Sequence, residues 1–281
     1  MGNLYVVSVP IGNMKDITLN AIETLSSVDI IACEDTRVSG ILLKEHNIKN
    51  KLVAYHKFNE NSKSDFLIEE LKNGKNIAII SDAGTPCIND PGTYIIKKAI
   101  DSNINVVPVC GASAVITSLS ISGFDITTFT FLGFIPRVKK ELDNLFEDIK
   151  NSNYELFVLY ESPKRIKKSL ELINENLNNP EVALFNDLTK VHQRIYRGKT
   201  SNVLEELNNN PNSEKGEYVL IIKYKEDNKK VNIDISSEAI LIDTMVKNNC
   251  TLKDAINICK DNYKLSKNDL YNASLNIKKL I

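Results

Sequence analysis

Short runs of apolar residues alternate with amphipathic stretches along the first part of the chain. The runs are rich in Val and Ile and lack strict alternation with polar residues, which is typical of strands buried on both faces of a parallel sheet. The stretches between them place apolar residues at helical spacing. This rhythm predicts an α/β unit with a mostly parallel sheet covered by helices. We predict its strands at Leu4–Val9, Val28–Cys33, Leu52–Tyr55, Ile77–Ser81 and Val106–Val109.

A second α/β unit is predicted to begin near Thr128, again from apolar runs separated by helical patterns. The predicted organisation is an N-terminal α/β domain over residues 1–123, a second α/β domain over 124–226 and a helical tail module over 233–281, with a charged linker at Glu226–Asn232. The strands of the second unit are predicted at Thr128–Phe134, Glu155–Tyr160, Glu181–Asn186, Gln193–Arg197 and Tyr218–Lys223.

The tail is predicted to pack as a small helical module that is basic on its solvent side. From Lys247 onward, seven lysines stand against three aspartates, a local net charge of +4 in a chain whose total is −1. These lysines serve solubility, or they extend a surface that binds an anionic partner. The apolar positions at helical spacing are Leu241, Met245, Leu252, Ile256, Leu270 and Leu275.

The overall composition is that of a globular protein, with 42% hydrophobic and 25% charged residues. No apolar run approaches the ~20 residues that span a bilayer, and the N-terminus enters a strand without a signal-peptide pattern. The five cysteines have neither C-x-x-C pairs nor zinc-finger spacing. We therefore expect a reducing, cytoplasmic location, no membrane association and no metal site.

The stretch from Ser81 to Gly92 is the most informative segment, because small and turn-forming residues follow directly after an apolar strand. A loop with so little side-chain bulk lets a ligand approach the backbone. Open α/β sheets bind ligands at the carboxyl ends of their strands. We predict that Asp90 caps the next helix and that Pro91 occupies its first position.

Polar residues also follow the second and third strands of the first unit. Asp35 and Arg37 either form an ion pair or offer a polar wall to a phosphate-bearing substrate, with Glu34 beside them. His56 and Asn59 follow the third strand and are candidate substrate contacts.

Other strand ends of both units add to the pattern. In the second unit, Glu161 is a candidate general base or an ion-pair partner of Arg165. The turn after the first strand contains Pro10 and Gly12 but lacks the G-x-G-x-x-G pattern, and the chain has no P-loop. The strand ends together predict a cleft at the carboxyl edge of the first sheet, closed by the second unit.

Five motifs in order resemble the tetrapyrrole-methylase superfamily of S-adenosylmethionine enzymes, and within it the bacterial RsmI type, which 2′-O-methylates a cytidine of small-subunit ribosomal RNA. The resemblance covers nearly the whole chain. It implies a class III methyltransferase with two α/β domains, S-adenosylmethionine in the cleft between them and a homodimer. The motifs are Ser8–Asn13, Glu34–Arg37, Ser81–Gly92, Tyr160–Pro163 and Lys215–Glu217.

The resemblance also assigns residues to the cofactor, and these lie in loops of both α/β units. The segment Phe185–Lys190 departs from the family pattern, because Asn186 and Asp187 stand where Arg and Glu are usual. The cofactor-binding residues that the resemblance implies are Pro10, Asp82, Ala83, Gly84, Thr85, Ser113, Ala114, Tyr160, Leu188 and Gly216.

A ribose hydroxyl is a weak acid, so a nearby base would assist methyl transfer. The sequence offers Glu34, Asp35, His56 and Glu161 as candidate bases and does not choose among them. The expected substrate is small-subunit ribosomal RNA or the assembled small subunit. Its candidate contacts are Arg37, Asn59, Lys164, Arg165 and Lys190.

Two other functions remain open from the sequence. A methylase of a small acidic tetrapyrrole of the precorrin type would use the same cleft but would not need the basic tail. A non-catalytic RNA-binding protein would not need the loops of small residues. Titration with the cofactor separates the binding protein from both enzymes.

Overall fold

The computed structural model describes residues 1–225, 236–263 and 267–278. The chain forms two compact units, Met1–Lys225 and Glu226–Ile281. The first unit contains two five-stranded sheets. The predicted boundary between two α/β domains near residue 124 stays a prediction, because both sheets belong to one compact unit.

The first sheet consists of β1 (Leu4–Val7), β2 (Ile30–Cys33), β3 (Leu52–Ala54), β4 (Ile77–Ile80) and β5 (Val106–Val109). Its order is β3-β2-β4-β1-β5, and every pairing between these strands is parallel. The prediction of a mostly parallel sheet is therefore confirmed. Because β1 and β4 are neighbours, the loops that follow them lie side by side at the carboxyl edge.

Helices cover both faces of this sheet. Ile31 and Cys33 of β2 pack with the first two helices, whereas Ile30 and Ala32 pack on the opposite face with the third and fourth. This two-sided burial explains the apolar runs without polar alternation. The helices are α1 (Leu19–Ser27), α2 (Thr36–Glu45), α3 (Glu60–Lys72), α4 (Thr93–Asp101) and α5 (Ala114–Ser120).

The predicted start of α4 is wrong. The helix begins at Thr93 with Gly92 as N-cap, so Asp90 is not the cap and Pro91 is not in the first turn. Gly92 adopts φ 140°, which favours glycine, and its N–H donates to Glu60 Oε1 at 3.0 Å. Because this positive φ is adopted readily only by glycine, the helix begins after Gly92 rather than at the Asp-Pro pattern. The Asp90 side chain therefore does not cap the helix.

The second sheet consists of β6 (Thr130–Phe134), β7 (Leu156–Glu161), β8 (Glu181–Asn186), β9 (Arg194–Lys199) and β10 (Tyr218–Lys223). Its order is β6-β7-β10-β8-β9, with β6 parallel to β7 and the other pairs antiparallel. The last of the described strands along the chain thus lies at the centre of the sheet.

The second sheet is covered on one face by the helices that follow its own strands and on the other by the last helix of the first sheet. One face packs against α6 (Lys139–Asn151), α7 (Ile166–Asn176) and α8 (Thr200–Asn208). The other face packs against Val115 and Leu119 of α5 and against Ile11. Because α5 follows the first sheet and packs on the second, it fixes the strand-end loops of the first sheet next to the second.

The second compact unit contains α9 (Ser237–Asn248), α10 (Leu252–Tyr263) and α11 (Lys267–Lys278). Leu241, Ala255 and Leu270 belong to its apolar core, and this confirms the predicted helical module. Leu275 was expected in that core but is 40% exposed, so this assignment is wrong. The interior positions of α11 are Ala273 and Ile277, one helical face away from Leu275.

Two features of the predicted tail lie outside the described residues: the charged linker at Glu226–Asn232, and Lys264 and Lys279 among the tail lysines. Of the helices described, none is long and apolar enough to cross a membrane.

Candidate functional site

Three strand-end loops of the first sheet are held together at its carboxyl edge. Val9, after β1, and Gly84, after β4, exchange two backbone hydrogen bonds of 2.9 and 3.1 Å. The hydroxyls of Ser8 and Thr85 are 2.9 Å apart, and the Thr85 hydroxyl donates to the carbonyl of Ala112 at 3.1 Å. The loops after β1, β4 and β5 therefore form one braced surface.

A cleft of about 390 Å³ lies between this surface and the second sheet. Clefts of this size commonly hold small ligands. The sequence did not single out Ile11, Asp90, Phe134 or Glu217 as ligand contacts, yet all four line it. Eight of the predicted cofactor residues also line it: Asp82, Ala83, Gly84, Thr85, Ser113, Ala114, Tyr160 and Leu188.

A second cleft, of about 340 Å³, adjoins the first and shares Ile11, Asp82 and Glu217 with it. Pro10 and Lys190 line this second cleft rather than the first. Gly216 lines neither of these two clefts.

Gly216 instead makes room for a carboxylate. It adopts φ +83°, and a Cβ atom there would lie 2.1 Å from Asp187 Oδ2. Asp187 in turn pairs with Lys190 at 2.8 Å. Asn186 donates from Nδ2 to the carbonyl of Lys215 at 3.1 Å. The two residues that depart from the family pattern therefore brace the loop that contains Gly216.

Asp35 and Arg37 form the ion pair that the sequence left open. The Arg37 guanidinium contacts both carboxylate oxygens of Asp35, with Nε at 3.0 Å from Oδ1 and a terminal nitrogen at 2.6 Å from Oδ2. Asp35 also caps α2 by accepting from the Arg37 N–H at 2.8 Å. The Arg37 side chain and N–H lower the pKa of Asp35 to about 2. This carboxylate is a poor base, but 89% of the Arg37 side chain remains exposed.

The Glu161 side chain is buried, and both of its carboxylate oxygens accept hydrogen bonds. Its Oε2 pairs with Arg165 at 3.2 Å and accepts from the Ser169 hydroxyl at 2.5 Å, while Oε1 accepts from the Ser162 N–H at 2.7 Å. Arg165 also donates to the carbonyls of residues 135 and 136. The contacts favour the ion-pair interpretation of Glu161 over the general-base one, and they give Arg165 a role in holding the loop after β6.

His56 and Asn59 support the loop after β3. Asn59 accepts from the His56 N–H at 2.8 Å and donates to the carbonyl of Ala54 at 3.1 Å. His56 Nδ1 is buried and has no hydrogen-bond partner in the structure. Burial, followed by the charge of Asp82, raises the pKa of Glu34, which follows β2. None of these three residues lines either cleft, and Lys164 is exposed on the surface of the second sheet's loops.

Two acidic side chains on the cleft wall have raised pKa values. Burial is the main cause for Asp82, whose Oδ1 accepts from the Asp35 N–H at 3.0 Å. Burial and then the charge of Glu34 raise the pKa of Asp90 to about 6. The sequence placed Asp90 in the informative loop but interpreted it as a helix cap. Its only signal as a site residue was that position. Within the described ranges, no cluster of three or more His, Cys, Asp or Glu side chains could hold a metal ion.

The sequence model of the family described as tetrapyrrole (corrin/porphyrin) methylases matches residues 3–204. Two similar relatives are proteins named ribosomal RNA small subunit methyltransferase I. The one from Buchnera aphidicola subsp. Schizaphis graminum is 40% identical over 99% of this chain and 97% of its own. The one from Haemophilus influenzae is 41% identical over 98% of this chain and 96% of its own.

Solved structures of the same fold are also found. A uroporphyrin-III-C-methyltransferase from Thermus thermophilus aligns with a TM-score of 0.56 at 16% identity, over 79% of this chain and 94% of that one. A diphthine synthase aligns with a TM-score of 0.61 at 13% identity, over 80% of this chain and 90% of that one. At such identities the likeness concerns the fold alone.

The chain belongs to the tetrapyrrole methylase family. It is a methyltransferase of the class III fold, as the resemblance implied.

Proposed function

We propose that this protein transfers the methyl group of S-adenosylmethionine to the 2′-hydroxyl of a cytidine in small-subunit ribosomal RNA. The observation that carries the proposal is the cleft that combines small-residue loops with acidic and apolar walls. The near-full-length similarity to proteins named ribosomal RNA small subunit methyltransferase I supports the choice of substrate.

The chemistry of the cleft fits S-adenosylmethionine. Two of its carboxylates, Asp82 and Glu217, match a ligand with a sulfonium cation and an ammonium group. Its apolar residues, among them Ile11 and Phe185, suit an adenine ring. Gly84 at φ +75° lets the loop backbone approach a ligand closely.

When bound, S-adenosylmethionine supplies an electrophilic methyl group that a hydroxyl attacks in line with the carbon–sulfur bond. The protein contributes positioning, which is worth much of the acceleration in such transfers. We assign the donor to the braced loops, with Asp82 through Thr85 and the segment at Ser113 and Ala114 holding it. Tyr160 and Leu188 would close the cleft from the second sheet.

The RNA would contact cations around the clefts. Arg37 and Lys164 are exposed and offer phosphate contacts, whereas Arg165 is held by Glu161 and two carbonyls. Lys190 pairs with Asp187 and Glu217, so we assign it to the second cleft wall. Action on ribosomal subunits would place the protein in the cytoplasm, and we propose that it works as a homodimer, as the family resemblance implies.

The decisive experiment measures transfer of labelled methyl groups to three acceptors: assembled small subunits that lack the modification, naked small-subunit RNA and a free uroporphyrinogen-type tetrapyrrole. We expect label in RNA, recovered as a 2′-O-methylated cytidine that resists alkaline cleavage at its 3′ side. Label in the tetrapyrrole alone would assign a small-molecule methylase, and label on a base would refute the ribose target. If calorimetric titration detects no binding of S-adenosylmethionine, the proposal that the protein uses this methyl donor is refuted.

A further inference from the structure

Asp90 lies in the cleft because α4 does not start where the sequence pattern suggests. The backbone turns at Asn89, with φ +67°, and again at Gly92, with φ 140°. Between these turns, Asp90 faces the same cleft as Asp82 and Tyr160. Its charge raises the pKa of the Tyr160 hydroxyl, although burial of that hydroxyl is the larger cause.

The other three carboxylates around the cleft have ion-pair or hydrogen-bond partners. Glu161 is held by Arg165 and Ser169, and Glu217 pairs with Lys190 at 2.9 Å. Asp82 accepts a hydrogen bond from the Asp35 N–H. In the part of the chain that the structure describes, no Lys, Arg or His lies within ion-pair distance of Asp90, and its side-chain partner is the hydroxyl of Ser81. Asp90 therefore keeps oxygen lone pairs available to a substrate, whereas the remaining acceptor oxygen of Asp82 is assigned to the cofactor.

The surroundings of Asp90 also suit a base. Burial first, and the carboxylate of Glu34 second, raise its pKa to about 6. At neutral pH the group is still ionised, and it holds a proton more strongly than an ordinary aspartate does. Among the described residues, the titratable groups whose charges interact with Asp90 include Glu34, Asp82, Cys87 and Tyr160. Burial raises the pKa of Cys87, so its thiol stays neutral in this range.

We propose that Asp90 is the general base that accepts the proton of the acceptor hydroxyl during methyl transfer. This inference rests on the proposed function. As the ribose oxygen forms its bond to the methyl carbon, the carbon–sulfur bond breaks with its electron pair going to sulfur, and the hydroxyl proton moves to a carboxylate oxygen of Asp90. The proton then leaves to solvent, which restores the ionised carboxylate.

The test uses single-turnover methyl transfer to small subunits between pH 5 and 8, so that product release does not mask the chemical step. We expect the wild-type rate to be full above about pH 7 and to fall as the pH drops through about 6, because the base becomes protonated. Asp90→Asn should lower the rate by about 10²- to 10⁴-fold and remove this acidic limb, while calorimetry still detects S-adenosylmethionine binding. Asp90→Glu should keep the limb and restore part of the rate.

Two control variants sharpen the result. Asp143→Asn makes the same change in a surface ion pair on α6 and should leave the rate unaltered. His56→Gln should keep the acidic limb, because His56 does not line the cleft. If Asp90→Asn retains both the limb and a rate within about threefold of wild type, Asp90 is not the base.

A wild-type rate that is flat from pH 5 to 8 would overturn the inference without any variant. Wild-type protein that binds S-adenosylmethionine yet methylates no RNA hydroxyl would overturn the proposed function, and this inference with it. The wild-type arm therefore distinguishes the two failures.

Discussion

The carboxylates at this site differ in pKa because the groups that surround them in space differ, and not because of their neighbours in sequence. Asp35, with a guanidinium against it, has a pKa of about 2, and Asp90, partly buried near Glu34, has a pKa of about 6. The sequence placed both in loops that follow strands, which the βαβ pattern predicts, and it interpreted Asp90 as a helix cap. It could not tell them apart, because the partner of a side chain depends on the path of the backbone, as the turn at Gly92 illustrates.

Asp82→Arg should abolish binding of S-adenosylmethionine in a folded protein. The substitution places a cation where the cleft meets a cationic ligand, and such like-charge contacts cost several kcal/mol, which is a loss of about 100-fold or more. Calorimetry gives the affinity, and thermal unfolding checks the fold. Asp82→Asn, which removes the charge without adding bulk, should bind with intermediate affinity. Wild-type affinity in a folded Asp82→Arg protein would show that S-adenosylmethionine does not bind beside Asp82.

Gly216→Ala should destabilise the first unit by about 2 kcal/mol, because a Cβ atom at φ +83° is strained and also displaces the Asp187 carboxylate. Gly74→Ala is the matched control, since Gly74 has φ +91° but no atom within 4 Å of the added carbon. It should cost only the strain, about 1 kcal/mol. If urea unfolding gives the same loss of unfolding free energy for Gly216→Ala and Gly74→Ala, the contact with Asp187 adds nothing to the cost.

The elements themselves were the most predictable level of this structure. All ten strands of the described residues lie where the apolar runs place them, with ends that shift by a few residues. Periodicity reports which face of an element is buried, and burial decides whether it forms. It does not report what an element packs on. The packing of α5 on the second sheet, which creates the cleft wall, therefore could not be predicted.

Arg165 links three elements, since it stands at the N-cap of α7, pairs with Glu161 at the end of β7 and donates to the two carbonyls after β6. Arg165→Met should cost about 3–5 kcal/mol, because it leaves a buried carboxylate without its partner. Combining it with Glu161→Gln should recover most of that loss. Denaturant unfolding of the two single variants and the double variant measures the coupling. Additive losses would show that the pair acts independently.

At the scale of the whole molecule, the basic tail is separable from the cofactor loops. All residues assigned to the cofactor lie in the first unit, which has its own apolar clusters, and Lys253, Lys260 and Lys278 are exposed on the second. The sequence predicted both the module and its charge. It could not decide whether these lysines bind RNA or only keep the module soluble, because exposure is common to both.

A chain ending at Asn232 should still bind S-adenosylmethionine but should methylate subunits poorly at concentrations below saturation. Removing positive charge weakens RNA binding and reduces its salt dependence, by roughly 0.7–0.9 in the logarithmic slope for each lost phosphate contact. The full chain with Lys253→Glu, Lys260→Glu and Lys278→Glu separates charge from the loss of the module. A full methylation rate in the truncated protein would make the tail dispensable.

The position of β10 has a consequence for synthesis of the protein on the ribosome. This strand is the last of the first unit to be made, yet β7 and β8 both pair with it. At about 5–20 residues per second, β7 waits several seconds with an unpaired edge before Tyr218 emerges. Nascent chains at this stage present an open sheet edge, so we expect them to depend on chaperones until β10 inserts and completes the sheet.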